Sequence, residues 1–218
     1  MKIAIIGAMD KEIDSYLEMY DATIVDKDRK IYKSNDIIIA GSGIGKVNAA
    51  MMTQHLIDKY EVDVVISSGC AGSLSKNLKV FDVIIPKYVT YHDFLPERVM
   101  RYSVPDEGKI KADENLIKLF NDTANKINGI NVVDTAICSG DCYVTDDIMA
   151  QEIVNRTGAK VVDMESASIA HVCRNNNIPF ITIRTISDFA DGNDDFERQA
   201  AEISGKIISK SIEKLLTN

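Results

Sequence analysis

Two predicted strands end on acidic side chains, which can bind a polar substrate or transfer a proton. Glu165 closes the apolar run that begins at Val161, and Asp188 closes the run that begins at Phe180. Ligands in open α/β sheets usually bind beyond the carboxyl ends of the strands. We therefore expect both carboxylates to face one site, where one could hold a substrate while the other moves a proton.

A third acidic candidate is Glu12, at the start of the first predicted helix. It follows an apolar strand, 2–6, and the short segment 7–11. An acidic residue near a helix N-terminus is also favoured by the helix dipole alone. A structural role and a catalytic role both remain open for Glu12 at this point.

Three predicted strands lead into segments of small residues, 41–46, 68–73 and 139–141. We expect each to be a loop or turn that lets a ligand approach the backbone closely. The first segment fails as a phosphate-binding loop, because its glycines are spaced too closely and Val47 replaces the magnesium-binding Ser or Thr. A structural turn and a ligand-lining turn are equally compatible with it. Together the three segments favour a pocket.

Length and composition indicate one globular domain covering residues 1–218, with 45% hydrophobic and 27% charged residues. The apolar runs are strand-length and far shorter than the ~20 residues that span a bilayer. The formal net charge of −8 argues against nucleic-acid or membrane-surface binding, which require a basic face. It is compatible with a small neutral or cationic ligand.

Cysteine and histidine spacing favours free thiols and no bound metal. Cys70, Cys138, Cys142 and Cys173 form no Cys-x-x-Cys pair, which is typical of a reducing compartment. The three histidines share no metal-ligand spacing, and we expect neither a metal nor another cofactor. The N-terminus enters a strand at once without a signal-peptide pattern, so we expect a cytoplasmic protein.

Strands alternate with helices along the chain, which predicts an α/β domain with a parallel or mixed sheet. Predicted strands are 2–6, 24–25, 30–33, 36–40, 62–67, one or two within 81–89, 132–137, one from 161 and 180–188. Predicted helices carry apolar stripes at 13/16/17/20, 47/50/51/57, 116/117/120/124/127 and 196/200/203/207/212/215, with two more from 146 and over 166–175. The segment 91–111 lacks periodicity and is expected to be a long functional or mobile loop.

The ordered motifs resemble one family, the 5′-methylthioadenosine/S-adenosylhomocysteine nucleosidases of the nucleoside phosphorylase and nucleosidase superfamily. The motifs are Ile5-Ile6-Gly7-Ala8-Met9-Asp10-Lys11-Glu12, Ser42-Gly43-Ile44-Gly45-Lys46-Val47, Ser139-Gly140-Asp141, Asp163-Met164-Glu165 and Arg184-Thr185-Ile186-Ser187-Asp188. The resemblance runs from Met1 to the final helix. It implies a three-layer α/β/α sandwich with a mixed, twisted central sheet. It also implies a hydrolase that releases adenine and a 5-thio-ribose, in methionine salvage and recycling of S-adenosylmethionine by-products.

The resemblance also implies roles for the acidic residues. The transition state of such a cleavage places positive charge on the sugar and negative charge on the departing purine. Asp188 matches the acid that protonates adenine N7, and Glu12 matches the residue that activates water for attack at C1′. Glu165 matches the residue that binds the ribose hydroxyls, with Met164 packed under the sugar.

The same resemblance implies further substrate contacts. Adenine would lie against Tyr143, and the Val144 backbone would contact its edge. Arg184 and Ser187 would support the carboxylates, although Arg184 also fits a simple charge partner. The remaining substrate-binding candidates are Met9, Ile44 and Cys70, the last at a position where the family usually has Ser or Thr.

Hydrolysis has to be weighed against phosphorolysis, because the fold is shared. The loop after the 62–67 strand is preceded by Ser67-Ser68, whereas phosphorylases of the superfamily have an arginine there. Glu12 would repel phosphate by about 4 kcal/mol at ~4 Å in partly screened surroundings, which favours hydrolysis.

Alternatives are a purine nucleoside phosphorylase, an aminofutalosine-preferring nucleosidase and a non-catalytic nucleoside-binding domain. The preferred 5′-substituent stays open among methylthioadenosine, S-adenosylhomocysteine, 5′-deoxyadenosine and aminofutalosine. The resemblance further implies a homodimer, in which the 91–111 region walls the partner subunit's pocket.

Overall fold

The computed structural model describes residues 1–188 and 197–217. The strands are β1 (Ile3–Gly7), β2 (Thr23–Asp26), β3 (Ile31–Ser34), β4 (Ile37–Gly41), β5 (Val64–Ser73), β6 (Val83–Ile84), β7 (Tyr88–Tyr91), β8 (Ile110–Lys111), β9 (Val132–Val133), β10 (Ile137–Ser139), β11 (Val161–Asp163) and β12 (Phe180–Asp188). The helices are α1 (Asp10–Met19), α2 (Lys46–Tyr60), α3 (Glu97–Ser103), α4 (Glu114–Ala124), α5 (Asp147–Thr157), α6 (Ser166–Asn175) and α7 (Glu197–Thr217). A 3₁₀ turn spans Pro105–Gly108.

Within the described residues, all these strands join one twisted, mixed sheet. The main order is β2-β3-β4-β1-β5-β11-β10-β7-β8, and β12 pairs with β5 and β6, while β6 also pairs with β9. β1 runs parallel to β4 and β5, and β12 runs parallel to β5. β11 is antiparallel to β5. The mixed sheet expected from the sequence is confirmed.

The central strands are apolar runs because both of their faces are covered. Every residue of β1, β4 and β12 is buried, as expected for parallel strands between helical layers. α2 packs against α6, whereas α1 and α4 pack against α7. These two groups form the helical layers on either side of the sheet. The expected α/β/α layering is confirmed.

The largest departure from the sequence prediction is β5. The 62–67 strand was expected to end in a loop at 68–73, but β5 continues to Ser73. β12 pairs with β5 from Val65 to Gly72, and β11 pairs with its last residues. Small residues therefore extend the strand here, because the neighbouring strands satisfy their backbone groups.

Two further predictions were wrong in detail. The segment 91–111 is not a structureless loop, since it contains α3, the 3₁₀ turn and β8. The predicted strand 132–137 is divided into β9 and the start of β10, which lie in different parts of the sheet. Short polar helices with few apolar positions leave no clear periodicity, which explains why α3 was missed.

The predicted apolar stripe of α2 is wrong at two of its four positions. Val47 and Met51 are 67% and 68% exposed, whereas Ala49, Met52 and Leu56 are buried. Both sets fit helical spacing, so periodicity alone could not distinguish the inward face. On α7, Ala200, Ile207 and Ile212 are buried as expected, while the predicted stripe position Phe196 lies outside the described residues. No helix among the described residues is long and apolar enough to cross a membrane.

Candidate active site

One cavity of about 270 Å³ collects most of the candidate residues. The candidates that line it are Met9, Glu12, Ile44, Cys70, Tyr143, Val144, Met164, Glu165, Ser187 and Asp188. Residues that the sequence reasoning did not select also line it, namely Ala8, Lys11, Ala71, Gly72, Cys142, Val162 and Asp163. Arg184 is a candidate that lies behind this lining, bonded to Asp163.

Glu12 is held in one orientation by backbone N–H groups. Its Oε2 accepts hydrogen bonds from Ala8 N (2.7 Å) and Met9 N (3.0 Å), and its Oε1 accepts one from Cys70 N (3.0 Å). The side chain is 4% exposed. Glu12 therefore accepts hydrogen bonds from N–H groups at the start of α1, which is a structural role. It also lines the cavity, so it is placed to contact a ligand as well.

The Cys70 thiol lies against the same carboxylate. Its Sγ donates to Glu12 Oε1 at 3.4 Å. Burial and the Glu12 charge raise the pKa of the Cys70 thiol well above its usual value. The thiol therefore stays protonated and acts as a weak donor to Glu12.

Asp163 and Arg184 form a buried ion pair beneath the cavity. Arg184 Nε donates to Asp163 Oδ2 at 2.9 Å, and the two residues are 2% and 6% exposed. Burial alone would lower the pKa of Arg184, but the nearby carboxylates outweigh it and raise the pKa, Asp163 having the largest effect. Ser139 Oγ and the backbone N–H groups of Glu165 and Ser166 also donate to Asp163.

Asp163 is the acidic residue of this cavity lining that is not among the candidates predicted from the sequence. It ends β11 and thus had the same strand-end signal as Glu165 and Asp188. Asp163 differs from Glu165 and Asp188 in that Arg184 neutralises its charge. This contact joins β11 to β12, so the local sequence does not reveal it. Asp163 fixes the entry of α6 and the position of Arg184.

Glu165 lies at the cavity wall, just before α6. Its Oε1 accepts a hydrogen bond from Gly45 N at 2.8 Å, so the loop before α2 contacts the acidic site directly. Burial, followed by the charge of Asp163, raises the pKa of Glu165 to about 7. Near neutral pH this carboxyl group is therefore divided between its protonated and ionised forms.

Asp188 ends β12 next to a local irregularity in the strand. The pairing with β5 skips Ser187, so that Asp188 lies opposite Gly72. Such a bulge re-aims a side chain at the end of a strand. Ser187 Oγ donates to Asp188 Oδ2 at 2.7 Å, and Asp188 is 8% exposed.

The segment that follows β10 forms another part of the cavity wall. Tyr143 is half-exposed, whereas Val144 is buried within a small apolar cluster around Val162. Met164 also lines the cavity. This part of the wall can hold a flat apolar ring.

The arrangement suits chemistry in which positive charge develops on a bound substrate. Carboxylates in a desolvated cavity stabilise such charge more strongly than they would in water. Among residues 1–188 and 197–217 no group of three or more His, Cys, Asp or Glu side chains could hold a metal ion.

Comparison with known proteins places the chain in a family. The sequence pattern of the phosphorylase superfamily matches residues 2–216. The 5′-methylthioadenosine/S-adenosylhomocysteine nucleosidase of Bacillus licheniformis is 34% identical, over 99% of this chain and 100% of the relative. The chain belongs to the 5′-methylthioadenosine/S-adenosylhomocysteine nucleosidase family of the phosphorylase superfamily. The resemblance drawn from the sequence motifs is thereby confirmed, as is the prediction that the chain is a hydrolase of the N-glycosidic bond.

Solved structures of this family superimpose on the whole chain. The nucleosidase of Neisseria meningitidis, in complex with methylthio-immucillin-A, has a TM-score of 0.89 and 34% identity over 98% of this chain and 99% of its own. A futalosine hydrolase of Helicobacter pylori has a TM-score of 0.88 and 30% identity over 98% of each chain. The nucleosidase fold expected from the sequence is therefore confirmed over nearly its full length.

Proposed function

We propose that this nucleosidase hydrolyses the N-glycosidic bond of 5′-methylthioadenosine and S-adenosylhomocysteine, releasing adenine and the 5-thio-ribose. The observation that carries the proposal is the convergence of Glu12, Glu165 and Asp188 on one cavity with an apolar wall. Family membership supports the same reaction. The products then enter methionine salvage.

Asp188 is the proposed general acid, and it protonates adenine N7 so that the base leaves as a neutral molecule. A proton transferred in the transition state typically contributes a factor of about a hundred to about ten thousand in rate. The Ser187 hydroxyl, which donates to Asp188 Oδ2, orients the acid. The position of Asp188 at the end of β12 keeps it on a rigid element.

Glu12 is the proposed base that orients a water molecule and removes its proton during attack at C1′. The hydrogen bonds from Ala8 N, Met9 N and Cys70 N fix its carboxylate before the substrate binds. A fixed carboxylate also stabilises the positive charge that develops on the sugar. Met9, Ile44 and Cys70 complete this part of the substrate site.

Glu165 binds the ribose hydroxyls in this proposal, and Met164 packs under the sugar. Tyr143 stacks on adenine, while the Val144 backbone contacts the edge of the base. Arg184 acts indirectly, because its guanidinium is bonded to Asp163. No metal or other cofactor is required for these steps.

Hydrolysis is favoured over phosphorolysis by the carboxylate of Glu12. It fills the space between the start of α1 and the Cys70 backbone, bonded to N–H groups from both. An anion bound there would meet like charge in a poorly screened site, which costs about 4 kcal/mol at ~4 Å. Water has no such penalty.

The reaction is tested by measuring adenine release from methylthioadenosine with and without inorganic phosphate. We expect release at the same rate in both cases, and strict dependence on phosphate would exclude the hydrolase. Asp188→Asn and Glu12→Gln should each lower kcat by about a hundredfold or more while the melting temperature stays near that of the wild type. Near-normal turnover in either variant would refute the role of that residue.

A futalosine-type substrate is the second candidate, because the Helicobacter pylori futalosine hydrolase matches the whole chain at 30% identity. Turnover of aminofutalosine, S-adenosylhomocysteine, 5′-deoxyadenosine and methylthioadenosine should be compared under one condition. The 5′-thioalkyl substrates should have the highest kcat/KM. A preference for aminofutalosine would assign the chain to the second candidate.

The proposal also covers the domain organisation, the cellular location and the oligomeric state of the enzyme. The chain 1–218 acts as one domain, because one sheet joins the described strands, and it acts in the cytoplasm, where its free cysteines stay reduced. A second copy of the chain covers the exposed apolar face of α2 near the cavity, giving a homodimer. Ile44 lines the cavity and is itself 52% exposed, so the dimer contact reaches the substrate site.

A further inference from the structure

Lys46 connects the loops that follow three different strands. It begins α2, directly after the loop that follows β4. Its Nζ lies 2.5 Å from Asp93 Oδ2, in the loop after β7, and 3.7 Å from Asp141 Oδ2, in the loop after β10. Its backbone N donates to Asp141 Oδ1 at 2.8 Å. Lys46 thus contacts Asp93 through its ammonium group, and Asp141 through both its ammonium group and its backbone N–H.

The two acidic partners are also bonded to each other through the backbone. Asp93 Oδ2 accepts a hydrogen bond from Asp141 N at 2.9 Å as well as from Lys46 Nζ. Each member of the set Lys46, Asp93 and Asp141 therefore contacts the other two. We call this set the loop clamp.

The loop clamp is partly shielded from water. The side chains of Lys46 and Asp93 are 24% and 27% exposed, and Lys46 Nζ lies 5.6 Å from the centre of the Tyr91 ring. Burial opposes ionisation of Asp93, but the Lys46 ammonium and the Asp141 N–H hold its pKa below the usual value. By contrast, Lys87 and Asp134 form an ion pair of similar length, 2.6 Å, that is 68% and 70% exposed.

Two members of the loop clamp are chain neighbours of residues at the cavity. Gly45, which precedes Lys46, donates its backbone N–H to Glu165 Oε1 at 2.8 Å. Asp141 precedes Cys142, Tyr143 and Val144, which line the cavity as well. None of the three clamp residues is among the described residues that line the cavity. The clamp therefore reaches the substrate site only through its neighbours.

The two loops approach closely at Gly45. A Cβ atom at Gly45 would lie 3.0 Å from Asp141 Oδ1, and Gly45 has a φ of 97°, in the region that favours glycine. Close approach of the two loops is therefore built into the backbone as well as into the ion pairs.

We propose that Lys46 is a positioning residue that fixes the separation between the ribose-binding Glu165 and the adenine-binding wall at Tyr143 and Val144. The inference rests on the proposed function for the identity of the ligand. Loss of the clamp lets the two walls separate, so that a nucleoside can contact its base site or its sugar site but not both in the productive geometry.

The test compares Lys46→Met with Lys87→Met, which removes an ion pair of similar length at an exposed site. Measured quantities are KM and kcat for methylthioadenosine, the dissociation constant for adenine and the melting temperature. Lys46→Met should lower kcat/KM by about tenfold or more, mainly through KM, since misplacing a group by ~1 Å can cost about a hundredfold. Adenine occupies only the base site, so its dissociation constant should stay near that of the wild type. Lys87→Met should leave all four quantities unchanged.

A purely structural role would have a different signature. It would lower the melting temperature of Lys46→Met and leave KM and kcat of the folded protein as in the wild type, and this result would overturn the proposal. Lys46→Arg, which keeps the charge, should recover part of the lost kcat/KM. Failure of the arginine variant to recover any activity, with its fold intact, would also contradict a clamp based on the cation.

Asp93→Asn provides a second variant should Lys46→Met fail to fold. It should raise KM to a similar extent, and the double variant should be no worse than either single variant. Additive losses would overturn the clamp. Adenine release by the wild type without phosphate tests the reaction separately. Should that reaction fail, the dissociation constant for methylthioadenosine, measured on the folded variants, still tests the clamp, and an unchanged value would refute it.

Discussion

At Glu165, burial of the carboxyl group and the negative charge of Asp163 both raise the pKa of the side chain. Water is excluded from the carboxyl group and Asp163 adds negative charge, so the pKa rises to about 7. Only the ionised carboxylate can accept hydrogen bonds from ribose hydroxyls at both oxygens. Proton release from Glu165 is therefore coupled to nucleoside binding.

This coupling predicts that nucleoside affinity increases with pH. In an Asp188→Asn background, which should bind without turnover, the affinity for methylthioadenosine should rise about tenfold between about pH 6 and about pH 8. Most of the change should occur below the Glu165 pKa of about 7, since above it the carboxylate is already ionised. Isothermal titration at several pH values measures the effect.

The matched control is Glu165→Gln in the same background. It should bind more weakly and lose the pH dependence, because no proton is released from residue 165. A pH dependence that survives the substitution would assign the titration to another group.

The residue types in the sequence predicted most of the residues that line this site, but not which acidic residue forms an ion pair with Arg184. Glu12, Glu165 and Asp188 were selected because each follows or ends a strand, and all three line the cavity. Asp163 had the same signal. Its ion pair with Arg184 depends on β11 and β12 both lying beside β5, which no local pattern reveals.

Among the elements, β5 has the largest influence on the site. Its small residues bring the strand against the start of α1, where Gly69 faces Glu12. A Cβ atom at Gly69 would lie 2.4 Å from Glu12 Oε1, closer than any real contact. Only glycine lets the strand pass at this distance while Cys70 N bonds to Glu12.

Gly69→Ala should therefore displace the Glu12 carboxylate and lower kcat by about a hundredfold, the cost expected for a group misplaced by ~1 Å. The free energy of unfolding should fall by about 1–3 kcal/mol, the typical cost of overpacking. Turnover of methylthioadenosine and chemical denaturation measure the two effects.

Gly41→Ala, at the end of β4, is the control. A Cβ atom there would lie 3.4 Å from Ile13 Cδ1, an ordinary contact, so activity should be largely retained. Equal losses in both variants would show that the effect at Gly69 is not specific to Glu12.

Some strands and helices could be predicted from the sequence, and others could not. Long apolar strands such as β1 and β12 were found because burial on both faces leaves a continuous apolar run. The second half of β5 was missed, since glycine, alanine and serine form a strand here only through their partners. On α2, exposed Met51 and buried Met52 cannot be ranked without knowing where α6 packs.

For the whole molecule, the exposed apolar residues of α2 have a consequence for assembly. Val47 and Met51 lie one turn apart on the same face and are largely exposed. The proposed homodimer would bury them. Met51→Glu places a charge in that contact and should convert the protein to a monomer at micromolar concentration, as measured by light scattering.

Met19→Glu is a suitable control, because Met19 is 46% exposed at the end of α1, away from the proposed contact. It should leave the mass in solution unchanged. A wild-type protein that is monomeric, or a Met51→Glu variant that keeps the mass of a dimer, would contradict the proposed use of α2.

One property of β5 concerns motion rather than packing. The amide that anchors Glu12 belongs to Cys70, and the residue opposite Asp188 is Gly72, with only Ala71 between them. A displacement of this strand would therefore act on the anchor of Glu12 and on the strand partner of Asp188 at the same time.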